Sequence, residues 1–109
     1  MSLLPRRMTL CVAVAGALLP VAPPVPAAAA TRVVLIDQMK YGAIPPLKVG
    51  DEVMFVNKDI FRHSVTASNN SFDLDLTPGA RGALRINSAG HAAFYCKYHP
   101  GMRGTMSAK

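Results

Sequence analysis

From Thr31 onward the apolar residues recur at the spacing of short strands. "RVVLID" is rich in β-branched residues, "EVMFVN" sets Val53 and Phe55 against Met54 and Val56, and "SFDLDL" puts Phe72, Leu74 and Leu76 on one face. "HSVTA", "ALRIN", "HAAFYC" and a last short segment near "GTMSA" continue the series. Turn signals separate them: "IPPLKVGD" is a proline-stiffened edge and turn, and "TPGARG" and "SAG" are tight links. No window sustains a helical period. The pattern predicts an all-β domain, a small antiparallel Greek-key β-sandwich of seven to eight strands. Its core lies close to the lower limit for independent stability, so a bound metal would add ligation energy to folding energy.

Residues 1–30 are patterned differently. Arg6 and Arg7 precede an apolar run from Met8 to Leu19, and "VAPPVPAAAA" then offers small-residue cleavage sites such as Ala28-Ala29-Ala30. Basic, apolar and small-residue regions in that order are an export signal peptide, cleaved near Ala30. The apolar run is about a dozen residues, short of the roughly 20 that a membrane-crossing helix needs. The reading is a soluble exported domain over 31–109, without membrane insertion. Arg6-Arg7 before "MTL" is compatible with general or twin-arginine export, and bulky Leu10 beside Cys11 argues against a lipid anchor.

Cleavage changes the chemistry that remains. Cys11 leaves with the signal and Cys96 stays alone, so the domain has no intramolecular disulfide. A single thiol in an oxidising compartment calls for a role: metal ligation, an intermolecular bridge or nucleophilic attack. The net charge of +6 drops to +4 over 31–109, with ten Lys and Arg against six Asp and Glu. A modest excess favours acidic partners. The basic residues are scattered and the domain is extracytoplasmic, which argues against nucleic acid.

The segment "FYCKYHPGM" concentrates the reactive side chains. Cys96, His99 and Met102 stand three residues apart between two strands, and His63 opens "HSVTA", a strand that can lie beside the one ending at Cys96. Two imidazoles, a thiolate and a thioether are the donors of a blue copper site, a trigonal His2Cys plane with a long axial methionine. That mixture tolerates both Cu(I) and Cu(II), as one-electron transfer requires. Each residue also has a structural alternative: a buried free cysteine, a surface histidine, or methionine as core filler. Met106 reads as core. His91 falls on the strand face opposite Cys96, beside Gly90, and reads as exposed.

On these residues the chain resembles the cupredoxins, and within them the amicyanin group. The order H…C-x-x-H-x-x-M matches, "MKYGAIPPLKVGDEVMFVNKDIFRHSV" has the Met-Lys-Tyr opening, the V-G-D-x-V turn and an Asn ahead of the first histidine, and "AGHAAFYCKYHPGMRGTM" carries the rest. The resemblance covers essentially all of 31–109. It implies one Cu(I)/Cu(II) ion held by His63, Cys96 and His99 with Met102 axial, in a monomer that shuttles electrons in the periplasm. The partners it implies are transient redox proteins, such as a periplasmic dehydrogenase and a c-type cytochrome. Three positions depart from the pattern: Arg62 stands where proline is expected, Ser64 where a polar amide is expected, and Gly101 where a bulky apolar residue is expected.

The ligand set carries a mechanism. Backbone N–H groups of the His63-Ser64 segment would tune the Cys96 sulfur. His99 would bring a ring edge near the surface as the electron's exit, with Pro100 and Gly101 as an apolar docking patch. Lys58, Arg62, Lys97 and Arg103 would form a basic rim for an acidic redox partner, or serve as ordinary solubilising charge. Four protein ligands leave no open position for a substrate, so the protein is not read as an enzyme. Two other classes use similar residues: a protein that buffers or delivers Cu(I), and a copper-free structural sandwich.

Overall fold

The computed structural model describes residue 16, residues 18–23 and residues 29–109. The export signal expected over residues 1–30 lies, apart from these few, outside the described residues. Eight strands form: β1 (Thr31–Asp37), β2 (Lys40–Tyr41), β3 (Glu52–Asn57), β4 (His63–Ala67), β5 (Asp73–Leu76), β6 (Arg81–Arg85), β7 (Gly90–Tyr95) and β8 (Arg103–Ala108). They make two four-stranded sheets, ordered β2-β1-β3-β6 and β5-β4-β7-β8. The chain changes sheet between β3 and β4, between β5 and β6, and between β6 and β7, so consecutive strands interleave across the sandwich as in a Greek key.

One ladder departs from the antiparallel expectation. β1 and β3 run parallel, from Thr31 beside Glu52 to Ile36 beside Asn57, and the other strand pairs are antiparallel. A parallel pair needs a long crossover. Residues 38–51 supply it through β2 and the proline-stiffened loop, whose Leu47 bridges to Ala108 on β8. The crossover ends in a turn that needs Gly50, at φ 97°. Asp51 closes this turn by accepting N–H bonds from Lys48 at 2.9 Å and Ala30 at 3.0 Å.

Strand alternation sorts the side chains as the pattern predicts. Val53 and Phe55 are fully buried while Met54 and Val56 are half-buried, and β5 turns Asp73 and Asp75 outward with Leu74 and Leu76 inward. The core is Val34, Ile36, Leu47, Val53, Phe55, Val65, Leu76, Phe94 and Met106, continuous with Cys96 and Met102. Tyr41, Phe55 and Phe94 pack edge to face, with Tyr41 and Phe94 centroids 4.8 Å apart. Burying a ring such as Phe94 is worth about 1.5–3 kcal/mol. Its partner across the β7–β8 ladder is Gly104, where an added Cβ would overlap the ring.

Candidate metal centre

The two inner strands of the second sheet, β4 and β7, bring the donors together. Every residue of β4 is buried, beginning with His63. β7 pairs with it, Thr66 opposite Tyr95, which delivers Cys96 beside Ser64. The chain then folds back on itself. Cys96 N–H donates to the Met102 carbonyl at 3.0 Å and Met102 N–H donates to the His99 carbonyl at 2.8 Å. Residues 96–102 are thus a closed loop with three of the four expected donors.

His63 Nδ1 lies 3.8 Å from Cys96 Sγ, and His99 Nδ1 lies 3.6 Å from it. All three donor atoms fall within 4.8 Å of one another. A trigonal ion bound at about 2.0–2.3 Å to nitrogen and sulfur separates its donors by about 3.5–3.8 Å. Both sulfur–nitrogen separations are those of donors sharing one metal ion, and two imidazoles with one thiolate in an apolar setting fit a single copper. His63 and Cys96 are fully buried, and His99 is half-buried. Met102 is also buried, and with Met39, Tyr98, His99, Pro100 and Gly101 it lines a shallow surface pocket above the cluster.

The surroundings fix which atoms face the centre. His63 Nε2 donates to Asp59 Oδ2 at 2.9 Å. Hydrogen bonds from His63 and from Met39 N–H hold the Asp59 carboxyl below the usual carboxylate range. An ionised Asp59 has no proton to give, so Nε2 carries the hydrogen and Nδ1 presents its lone pair to the centre. Buried Asn57 shapes the segment between β3 and His63: Nδ2 donates to the carbonyls of Phe61 and Leu76, and Oδ1 accepts Asp59 N–H. Ser64 N–H donates to Cys96 Sγ at 3.3 Å, the tuning contact expected from the His63-Ser64 segment. Tyr41 Oη–H donates to the Ser64 carbonyl; burial, and then the Cys96 charge, pushes its phenol up, so it keeps that hydrogen.

The structure gathers His63, Cys96 and His99 into one cluster and places Met102 at the end of the same loop. Cys96 is a free cysteine, His91 is exposed and Met106 is buried in the core. The basic rim is less open than its residues suggest. Arg62 pairs with Asp75 and Lys97 with Asp73, at 2.6 Å and 2.8 Å, while Arg103 reaches the Pro100 carbonyl. Sequence reasoning gave no role to Asp59, Asp73 or Asp75, and none to Met39 beyond its place in the Met-Lys-Tyr opening. Asp59 precedes His63 by four residues in "NKDIFRH", a signal readable only once a histidine needs a carboxylate on its far nitrogen. Met39 sits with Gln38 at the tip of the β1–β2 hairpin, both at positive φ, a conformation that nothing in "DQMK" announces.

No protein-family model matches the chain, and no curated protein matches it. Solved structures do. An oxidised methionine-to-leucine mutant of amicyanin is 29% identical, covering 72% of this chain and 81% of its own with a TM-score of 0.63. The reduced Cu(I) form at pH 4 of a proline-to-glycine mutant of amicyanin is 31% identical over 79% of this chain and 87% of its own, with a TM-score of 0.61. A purple cupredoxin from Nitrosopumilus maritimus, 18% identical, covers 72% of this chain and 99% of its own with a TM-score of 0.61, and shares the fold.

Proposed function

This chain belongs to the cupredoxin family, within its amicyanin-like members, and on that premise we propose that it binds one copper ion and carries single electrons between periplasmic redox proteins. The observation that carries the reading is the convergence of His63 Nδ1, Cys96 Sγ and His99 Nδ1. Those three would hold the ion, with Met102 as a fourth donor from the loop that carries Cys96 and His99. Copper, when bound, supplies a one-electron couple between Cu(I) and Cu(II). The chain does the rest. Cys96 would hold the ion as thiolate, and the Ser64 N–H, which donates to its sulfur, would disperse part of that charge. Asp59 holds the His63 ring in one orientation, and the closed loop from Cys96 to Met102 keeps His99 and Met102 on a fixed frame, so little rearrangement accompanies a change of charge.

His99 is the donor nearest solvent; exposed Tyr98 and Pro100 flank it in the chain, and exposed Phe61 lies edge-on to its ring with centroids 6.1 Å apart. A small apolar surface over a half-buried ligand suits brief docking with a periplasmic dehydrogenase or a c-type cytochrome. Arg103, bonded to the Pro100 carbonyl at its edge, and exposed Lys58 would attract an acidic partner. Export fits the start of the domain, since β1 begins at Thr31, directly after the cleavage site expected near Ala30. No helix of the described residues is long and apolar enough to cross a membrane.

Titrating residues 31–109 with Cu(II) tests the proposal. An intense band at about 600 nm, the signature of thiolate bound to Cu(II) in a His2Cys site, should appear, bleach with reductant and return on oxidation. Cys96→Ser should abolish it. A colourless protein that holds Cu(I) without a reversible couple would move the reading to copper buffering or delivery.

A further inference from the structure

The two outward carboxylates of β5 lie under the segments that present the ligands. Asp75 takes a two-pronged contact from Arg62, Nε to Oδ1 at 2.8 Å and Nη2 to Oδ2 at 2.6 Å, and a hydrogen bond from Tyr98 Oη at 2.6 Å. The Arg62 guanidinium stacks over the Tyr98 ring, 4.8 Å from its centroid. Arg62 immediately precedes His63 and Tyr98 immediately precedes His99, so this triangle ties the two histidine segments to each other and to β5. Asp73, two residues earlier, closes a second circuit. Lys97 Nζ donates to Asp73 Oδ2 at 2.8 Å, and Lys97 N–H donates to Ser64 Oγ at 2.8 Å. Ser64 Oγ meets Thr66 Oγ1 at 2.9 Å, and Thr66 Oγ1–H donates to Asp73 Oδ1 at 2.8 Å. Lys97 is therefore held at both its backbone and its side-chain end.

Exposed ion pairs taken singly contribute little, but two-pronged pairs joined into a network are the exception. These contacts also converge on one loop, the one carrying Cys96, His99 and Met102. Resting on the copper reading above, we propose that Asp73 and Asp75 are positioning residues that anchor the 96–102 loop to β5 and hold His99 in its metal-binding place before metal arrives. The Arg62–Asp75–Tyr98 triangle supplies the stiffness that proline would otherwise give beside His63. The depressed Asp75 carboxyl, held at about 2 by its hydrogen bonds from Arg62 and Tyr98, keeps the anchor charged at neutral pH.

Amide hydrogen exchange on the copper-free protein reads the anchor, because Lys97 N–H is bonded within it and Met102 N–H closes the loop that it holds. Tyr98→Phe keeps the ring and the net charge and removes one bond; Asp75→Ala and Asp73→Ala remove the anchors from outside the loop. Each should speed exchange of the Lys97 and Met102 amides about tenfold relative to core amides such as those of Phe55 and Val65, whose unchanged rates show that the fold is intact. Exchange unaltered in Tyr98→Phe and in both alanine variants overturns the proposal, whether or not the protein takes up copper. In the copper-loaded protein, Asp73→Ala should leave the blue band in place and, at high salt where the altered charge is screened, slow electron self-exchange about threefold, because a looser loop moves more between oxidation states. A merely stabilising contact would leave that rate unchanged. Failure of the unsubstituted protein to turn blue would count against the copper reading alone.

Discussion

Ser64 N–H points at Cys96 Sγ across 3.3 Å while the Ser64 hydroxyl receives Lys97 N–H at 2.8 Å. One buried residue thus connects the thiolate, the ligand loop and, through its carbonyl, Tyr41. The hydroxyl passes its own hydrogen to Thr66, which passes on to Asp73. Ser64→Ala leaves the backbone contact to sulfur and removes the relay, so the Lys97 amide loses its acceptor. Urea unfolding of the copper-free protein should show a loss of about 1–2 kcal/mol, the cost of leaving a half-buried donor unpaired. A midpoint equal to that of the unsubstituted protein would mean that water takes the place of the hydroxyl.

Gly104 and Phe94 face each other across the β7–β8 ladder with no room for a side chain at position 104. Gly104→Ala forces the ring out of its packing with Tyr41 and Phe55, and overpacking of this kind costs about 1–3 kcal/mol. Phe94→Leu frees space at the expense of the aromatic cluster. Residues in contact are not additive, so the double variant should be more stable than the sum of the two single losses. Additive losses in a thermal unfolding series would show that the ring can move aside.

Much of this was legible in the sequence because strands and soft ligands both leave local marks. Alternation in "EVMFVN" put Phe55 on one face with Val53, alternation in "SFDLDL" put Leu74 and Leu76 on one face and, by default, Asp73 and Asp75 on the other, and the C-x-x-H-x-x-M spacing placed three donors on one loop. What stayed hidden is long-range. The parallel β1–β3 register depends on a crossover that no window displays. The pairing of Arg62 with Asp75 spans 13 residues and that of Lys97 with Asp73 spans 24, and it turned residues read as a basic rim into neutralised anchors. Periodicity shows which way Asp75 points; only the sheet order shows what meets it there.

Met102 is the donor whose side chain can be exchanged with least harm to the frame, because the loop's closing bonds use its backbone N–H and carbonyl. Met102→Leu keeps size and apolar character and removes the sulfur. Cu(II) loses more than Cu(I) when an axial donor is withdrawn, so copper should stay bound, the blue band should persist and the reduction potential should rise. Spectroelectrochemical titration measures this. A potential identical to that of the unsubstituted protein would remove Met102 from the ligand set.

Acid should dismantle the carboxylate anchors. Asp75 is held down to about 2 by hydrogen bonds from Arg62 and Tyr98, with the Arg62 and Lys97 charges assisting. Asp73 is lowered by its bonds from Lys97 and Thr66 against the opposing charge of Asp75, and Asp51 by the N–H groups of Ala30 and Lys48, with Arg32 and Lys48 nearby. A carboxyl whose folded pKa lies below its unfolded value of about 3.9 contributes stability above that value, and the contribution disappears as pH falls through the folded pKa. The copper-free protein should therefore lose stability progressively between about pH 4 and pH 2. Asp75→Asn cannot take up that proton, so its thermal midpoint should start lower and fall less steeply over the same interval. Parallel curves for the two proteins would show that Asp75 binds Arg62 and Tyr98 without contributing to folding.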